Sequence, residues 1–310
     1  MSDQPVAVHG GDYEHVLGIS GEYAGGVRLD YRAMGLQGLF ARMLAERCFE
    51  VCEFSLANYL MLRAAGADWL RALPIFPNRA FRHGHALTRV ESPLTGLEQL
   101  AGRRVGVPDY SMTAAVWLRG LLADEYGVPE GAVTWVTGPR QRLPFPSQAR
   151  VEVVDEDLED ALTAGRIDAL LGFSPRDARL PSAQRRLRPV LADAEAAERD
   201  YYTRARIFPI MHCVVIRSDV LQAMPGLAPA LWEAYTAAKA DAYRRRLGTT
   251  LAPWSARHWE RVFALFGGDP LPYGLTSENR RVVERLGAYI VQQGFVGAVP
   301  PLEDIFLPVD

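Results

Sequence analysis

Cysteine is scarce in this chain, long apolar runs are missing, and neither sign of charge dominates. The three cysteines, Cys48, Cys52 and Cys213, are odd in number and lack CxxC spacing. That argues against a disulfide framework and against a structural zinc site. No run of 18 or more apolar residues occurs, so no transmembrane helix is expected. The formal net charge of −3 gives no strong field for nucleic acid or an anionic membrane, and neither is expected as a partner. The opening "MSDQPVAVHGGDYEH" has no basic n-region, apolar h-region or cleavage pattern, so a cytoplasmic protein is expected. Phosphate loops, dinucleotide fingerprints, GxSxG and zincin motifs do not occur, and no cofactor is expected. Nor does the chain repeat itself at solenoid periods.

What is present is an ordinary globular balance, 49% hydrophobic and 23% charged over 310 residues, long for one core and sufficient for two lobes. The basic residues are almost all arginine. "VRLDYRAM" alternates as a half-buried strand does, and "LQGLFARMLAERC" carries Leu36, Leu39, Phe40, Met43 and Leu44 at helical spacing. "FEVCEF" reads as a strand and "SLANYLMLRAAG" as a helix. A second run of β-α text follows: the strand "RRVGVP", the helix "SMTAAVWLRGLLADEYG", the strand "VTWVTG", then helix and buried strand in "LEDALTAGRIDALLGF". The alternation predicts an α/β fold with parallel strands covered by helices. Three helices are expected near the end, in "LAPALWEAYTAAKADAYRRRL", "SARHWERVFALF" and "SENRRVVERLGAYIVQQGF". The tail "VPPLEDIFLPVD" is expected to pack on the body, since it carries Ile305, Phe306 and Leu307.

One phrase occurs twice. "IFPNRAFRHGHALTRV" starts at Ile75 and "IFPIMHCVVIRSDV" at Ile207, each with Ile-Phe-Pro, a histidine and a strand-like run. The copies flank the inserted β-α text. They are expected to be two crossing segments, side by side at a hinge, bordering a ligand cleft. The domain reading is therefore 1–90 plus 206–310 for lobe one and 91–205 for an inserted lobe two.

"GDYEH", "EFSLANYL", "IFPNRAFRH", "RRVGVPDYSMTAAVWLRGLLADEYGV" and "FPIMHCVVIR" together resemble the 4,5-dihydroxyphthalate decarboxylase family, from about Gly11 to about Asp219. The resemblance implies a two-lobed clamshell of the type II periplasmic-binding-protein-like fold with a helical C-terminus. It implies non-oxidative loss of CO2 from a hydroxylated aromatic carboxylate. Some text departs from the family's pattern: "GGDYEHVLGIS", Asn58 in "EFSLANY", and Gly84-His85.

Such a reaction avoids an aryl carbanion by protonating the ipso carbon first, so it needs a proton donor, an acceptor near the ring hydroxyls and cations for the carboxylates. His15, His83 and His212 are the donor candidates, because histidine titrates near neutral pH; Glu53 is a candidate base. Arg79 and Arg82 have the planar fork that suits carboxylates. Asp12 and Tyr13, in the turn before His15, join the binding set. Ser55 and Asn58 lie at a strand-to-helix turn where Ser55 also suits an N-cap. Tyr110, Ser111, Met112 and Thr113 form the equivalent turn of lobe two, where a helix start offers N–H groups to an anion. Tyr110 and Phe208 are candidates to stack on a ring or to fill the core. His83 and His85, two apart on an expected strand, would share a face, but no third ligand at helical spacing accompanies them, so no metal is assigned. A cytosolic solute-binding or sensor protein, or another enzyme of the same fold, is the competing reading; continuous turnover separates an enzyme from a binder.

Overall fold

The computed structural model of the protein describes residues 4–171, 175–248 and 253–309. It divides into two compact units, Met1–Arg79 with Ile210–Arg281 and Pro300–Asp310, and Ala80–Pro209 with Val282–Val299.

The first unit begins with β1 (Val6–Gly10), β2 (Gly21–Tyr23) and β3 (Val27–Ala33), followed by α1 (Leu36–Glu46), β4 (Val51–Ser55), α2 (Leu56–Ala64) and β5 (Leu70–Leu73). The second unit holds β6 (Ala86–Arg89), β7 (Arg104–Gly106), α3 (Thr113–Tyr126), β8 (Thr134–Thr137), β9 (Val151–Val153), α4 (Leu158–Thr163), β10 (Ala169–Leu171), β11 (Leu187–Pro189) and α5 (Ala194–Ala205). The chain then returns through β12 (His212–Arg217), α6 (Ser218–Ala223), α7 (Leu227–Gly248), α8 (Ser255–Phe266), α9 (Ser277–Gln292) and α10 (Leu302–Ile305).

The first sheet has the order β2-β3-β1-β4-β12-β5. Strands β3, β1 and β4 are parallel, and β12 enters antiparallel between β4 and β5. Central β4 is buried at every position, whereas β1 alternates between buried and half-buried. Apolar residues of α7 at 3.6-residue spacing, Leu227, Leu231, Ala234, Tyr235 and Ala238, pack into the core with Val6, Val8, Leu29, Val51, Val214 and Ile216. The tail joins this unit: Leu307 N–H donates to Ala72 O, and Ile305 and Phe306 are buried.

The second sheet has the order β11-β6-β10-β7-β8-β9. Its parallel part is β10-β7-β8-β9, with β6 antiparallel to both β10 and β11. Leu87, Val136, Leu162, Ile167 and Leu170 make its core. The boundaries therefore differ from those read in the sequence. Ala86–Arg89, expected in lobe one, hydrogen-bonds in the second sheet; Val282–Val299, also expected in lobe one, belongs to the second unit; and the units change at 79/80, 209/210, 281/282 and 299/300.

The repeated phrases are neighbours. Arg79 and Ile210 form an antiparallel bridge, Ala80 N–H donates to Pro209 O, and Met211 N–H donates to Asn78 O. His83–His85 is a 3-10 turn, not a strand, because the strand hydrogen bonds begin only at Ala86. Helix α3 starts at Thr113 with Met112 as its N-cap, two residues later than the text "SMTAAVW" suggested. The expected buried strand in "DALLGF" is β10; the part of that text at 172–173 lies outside the described residues.

Candidate functional site

At the C-terminal ends of parallel strands, backbone groups and side chains are free of the ladder, and sites in α/β sheets form there. In the first unit β1 and β4 end at that edge and β12 begins there. His212 pairs with Ser55, and Val214 with Glu53. Paired residues share a face, so His212 and Glu53 stand as diagonal neighbours within side-chain reach. Their side chains meet: His212 Nδ1 lies 2.5 Å from Glu53 Oε1. Glu53 is 1% exposed and His212 16%, and Phe40 of α1 packs edge-on against the imidazole at 4.9 Å.

A buried carboxylate needs donors, and Glu53 has them. Gly11 N–H donates to Oε2 at 2.8 Å, and the Tyr13 hydroxyl donates to Oε1 at 3.0 Å. Asn78 Nδ2 donates to the Tyr13 oxygen at 2.7 Å. Tyr31 O–H donates to Gly11 O at 2.7 Å. Burial first, and then the Glu53 charge, push the Tyr13 and Tyr31 hydroxyls well above the usual phenol range, so both remain donors. The Gly-Gly pair makes room for this. A Cβ on Gly10 would stand 2.4 Å from the Tyr31 oxygen and 3.2 Å from Glu53 Oε2.

His15 stacks on Tyr13, ring centroids 5.2 Å apart and planes 6° from parallel. Its Nε2–H donates to Pro77 O at 2.8 Å, which leaves Nδ1 as the acceptor of the neutral ring. Burial, the largest influence, lowers its pKa. Thus Glu53, His212, Tyr13 and His15 come together with Asn78, a residue the sequence reading passed over. Asp12 is exposed beside them.

Other expected residues of this unit have structural partners. Ser55 caps α2, its Oγ accepting from Asn58 N–H, and Asn58 is fully buried. Arg79 Nη2 donates to Pro272 O at 2.8 Å and Asn279 Oδ1 at 2.5 Å, tying the loop after α8 to α9. Beside that loop Lys239, the only lysine of the chain, donates to Asp269 at 2.6 Å and Leu271 O at 2.8 Å.

In the second unit the expected roles change more. His83 is 2% exposed and packs against Tyr201 and Tyr126. Burial pushes it down to about 4, so it is a neutral core histidine at pH 7. His85 is pushed down to about 4 as well, by burial and then by the Arg82 charge; Arg82 itself is buried. Tyr110 is a core residue: it is fully buried, Arg119 lies 3.8 Å above its ring, and its hydroxyl donates to Glu130. A ring so enclosed has no free face for a substrate. Phe208 is half-buried against Phe81, centroids 4.7 Å apart.

Ser111 donates from N and Oγ to Asp109 Oδ1 at 2.9 and 2.8 Å. Asp109 also accepts from Arg142 N–H at 2.9 Å, and it too was missed. Met112 caps α3 with no side-chain bond, and Thr113 opens the helix. Among the described residues no group of three His, Cys, Asp or Glu side chains is placed to hold a metal ion, and no helix is long and apolar enough to cross a membrane.

No family model matches the chain. Among curated proteins it is 32% identical over 265 residues to a 4,5-dihydroxyphthalate decarboxylase of Comamonas testosteroni, covering 80% of this chain and 78% of the relative. It is 33% identical over 178 residues to a second protein of that name, from Pseudomonas putida, covering 53% of this chain and 67% of the relative. Among solved structures it is similar to the periplasmic aliphatic sulphonate binding protein SsuA of Escherichia coli. The TM-score is 0.57 at 13% identity over 99% of this chain and 93% of the other. It is also similar to the desulfurization enzyme DSZB, with a TM-score of 0.50 at 17% identity over 98% of this chain and 96% of the other. The architecture is thus periplasmic-binding-protein-like, with a helical C-terminus.

Proposed function

Because the chain belongs to the 4,5-dihydroxyphthalate decarboxylase family, we infer that it removes CO2 from 4,5-dihydroxyphthalate and that His212, oriented by Glu53, delivers the proton. The contact of His212 Nδ1 with the buried Glu53 carboxylate carries this reading. A carboxylate on Nδ1 orients the imidazole and stabilises its protonated form, leaving Nε2–H to act on the substrate.

The atoms balance without a cofactor. The 4-hydroxyl of the ring is para to one carboxylate. As it gives its proton to a base, the ring pushes electrons to the carboxylate-bearing carbon, which takes the proton from His212 Nε2. The C–CO2 bond then breaks, its electron pair restores the aromatic ring as a phenolate, and CO2 departs. The base returns its proton to the phenolate, giving 3,4-dihydroxybenzoate, and solvent reprotonates His212.

Neutral His15, with Nδ1 left as acceptor, is suited to the ring hydroxyls. Arg79, held through Nη2, supplies positive charge beside Asn78 for a carboxylate. The three free cysteines, with Cys48 exposed, support a reducing, cytoplasmic setting.

The test is incubation with 4,5-dihydroxyphthalate in D2O, with and without a chelator, followed by mass. Continuous, chelator-resistant CO2 release with one deuterium at the vacated ring carbon is expected. Saturable binding without release by the folded protein would favour a binding or sensor role.

A further inference from the structure

Glu53 Oε1 serves two donors, and how they share it determines which imidazole nitrogen can act. Asn78 Nδ2 donates to the Tyr13 oxygen, so the Tyr13 proton is directed at Glu53. Gly11 N–H takes Oε2. His212 Nδ1 meets the same Oε1. With donors already aimed at both oxygens, the carboxylate is an acceptor toward His212, and Nδ1 is the nitrogen that keeps its hydrogen. Asn78 acts at both ends of this chain of bonds. Its side chain holds Tyr13, and its carbonyl accepts from the backbone N–H of Met211 at 2.8 Å and of His212 at 3.4 Å.

We propose that Tyr13, held by Asn78, is a positioning residue that shares Glu53 Oε1 with His212 and so fixes Nε2 as the nitrogen that gives up its proton. This deepens the decarboxylase reading and rests on it for its catalytic meaning, though not for its geometry. The neighbourhood of Gly11 supports it. A Cβ there would stand 2.4 to 2.7 Å from atoms of the Tyr13 ring, so the turn admits the ring only because residue 11 is glycine. Among the described residues, the titratable groups that feel the Glu53 charge are Tyr13 and His15 from the turn after β1, Tyr31 from β3, Tyr235 from α7, Tyr273 from the loop after α8, and the buried thiols of Cys52 and Cys213. Of the groups reaching Oε1 besides His212, Tyr13 is the one joined by a hydrogen bond.

Tyr13→Phe removes one neutral donor from Oε1. Among the described residues Glu53 is then held by Gly11 N–H and His212 alone, so the carboxylate no longer has a fixed orientation toward the imidazole. Two measurements test this: imidazole 15N NMR titration of the labelled protein, with the His212 signal assigned from His212→Gln, and the pH profile of kcat/KM for 4,5-dihydroxyphthalate. In the unaltered protein the neutral His212 ring is expected as the Nδ1–H form. In Tyr13→Phe the pH profile of kcat/KM is expected to change. In the same variant kcat should fall about 10-fold with little change in KM, and the neutral ring should sample both tautomers. Asn78→Ala keeps the ring and carries the same test should Tyr13→Phe fail to fold. An unchanged His212 spectrum and an unchanged profile in a folded variant would overturn the proposal. The spectrum needs no turnover. A shifted spectrum in a protein that releases no CO2 would sink the decarboxylase reading and leave the positioning role standing.

Discussion

Glu53 is the residue on which the site depends, and it was partly legible in the sequence. A charged residue inside "FEVCEF", in a strand otherwise apolar, has no reason to be there unless something satisfies it. Its partner His212 stands out in the same way at the start of "HCVVIR". What the text could not give is that they meet, because a contact across 159 residues follows from strand register alone. That is why three histidines stayed level in the sequence. His83 keeps the company of Arg79, Arg82 and His85 in the text, yet Tyr201 and Tyr126 enclose it. Glu53→Gln turns an acceptor oxygen into an NH2 facing donors. We expect kcat to fall at least 100-fold and stability to fall by about 1–3 kcal/mol, read by steady-state kinetics and urea melts. His83 and His85 give a pH dependence. Burial pushes both down to about 4, below the ordinary histidine value of 6.5, so the unfolded chain binds more protons between those limits. Stability is therefore full above about pH 6.5 and is lost as pH falls toward 4. His83→Phe should flatten that part of a plot of urea midpoint against pH, and an unchanged slope would refute the assignment.

Several elements were readable: β3 and α1 fall where alternation and helical spacing put them, and β4, α2 and α7 where strand and helix text was read. Those missed had no such pattern. Helix α5, "AEAAERDYYTRA", buries only Tyr201 and Tyr202, so it shows no apolar stripe, and β2, β5 and β9 are four residues or fewer. The start of α3 was misplaced because Met112 caps it without a side-chain bond, while Ser111, the better cap by type, turns to Asp109. The N-cap of α2 was read correctly, and Ser55→Ala should cost about 1 kcal/mol; thermal melts measure it. A loss of kcat much beyond that expected from such a melt would show that Ser55 also serves the substrate. Gly10→Ala places a methyl group against the Tyr31 oxygen and Glu53. We expect about 1–3 kcal/mol of destabilisation and a larger fractional loss of kcat than Ser55→Ala causes.

Across the whole molecule, the resemblance read from the short motifs is matched by curated relatives about a third identical to this chain over the aligned stretches. Composition alone indicated only a globular protein, and β-α alternation an α/β fold. The order of specific phrases carried the family resemblance, and the resemblance implied the two-lobed fold. The repeated Ile-Phe-Pro phrase has a structural meaning: its two copies pair through Arg79 and Ile210. That pairing sets Asn78 beside the first residues of β12, and so supports Tyr13 and His212 together. The most direct test of this account is single-turnover release of CO2 from 4,5-dihydroxyphthalate by the unaltered protein and by His212→Gln, with substrate binding measured in parallel. The account predicts release by the first and a rate about 10²–10⁴-fold lower in the second, with binding retained. Equal rates in the two proteins, or no release from the unaltered one, would contradict it.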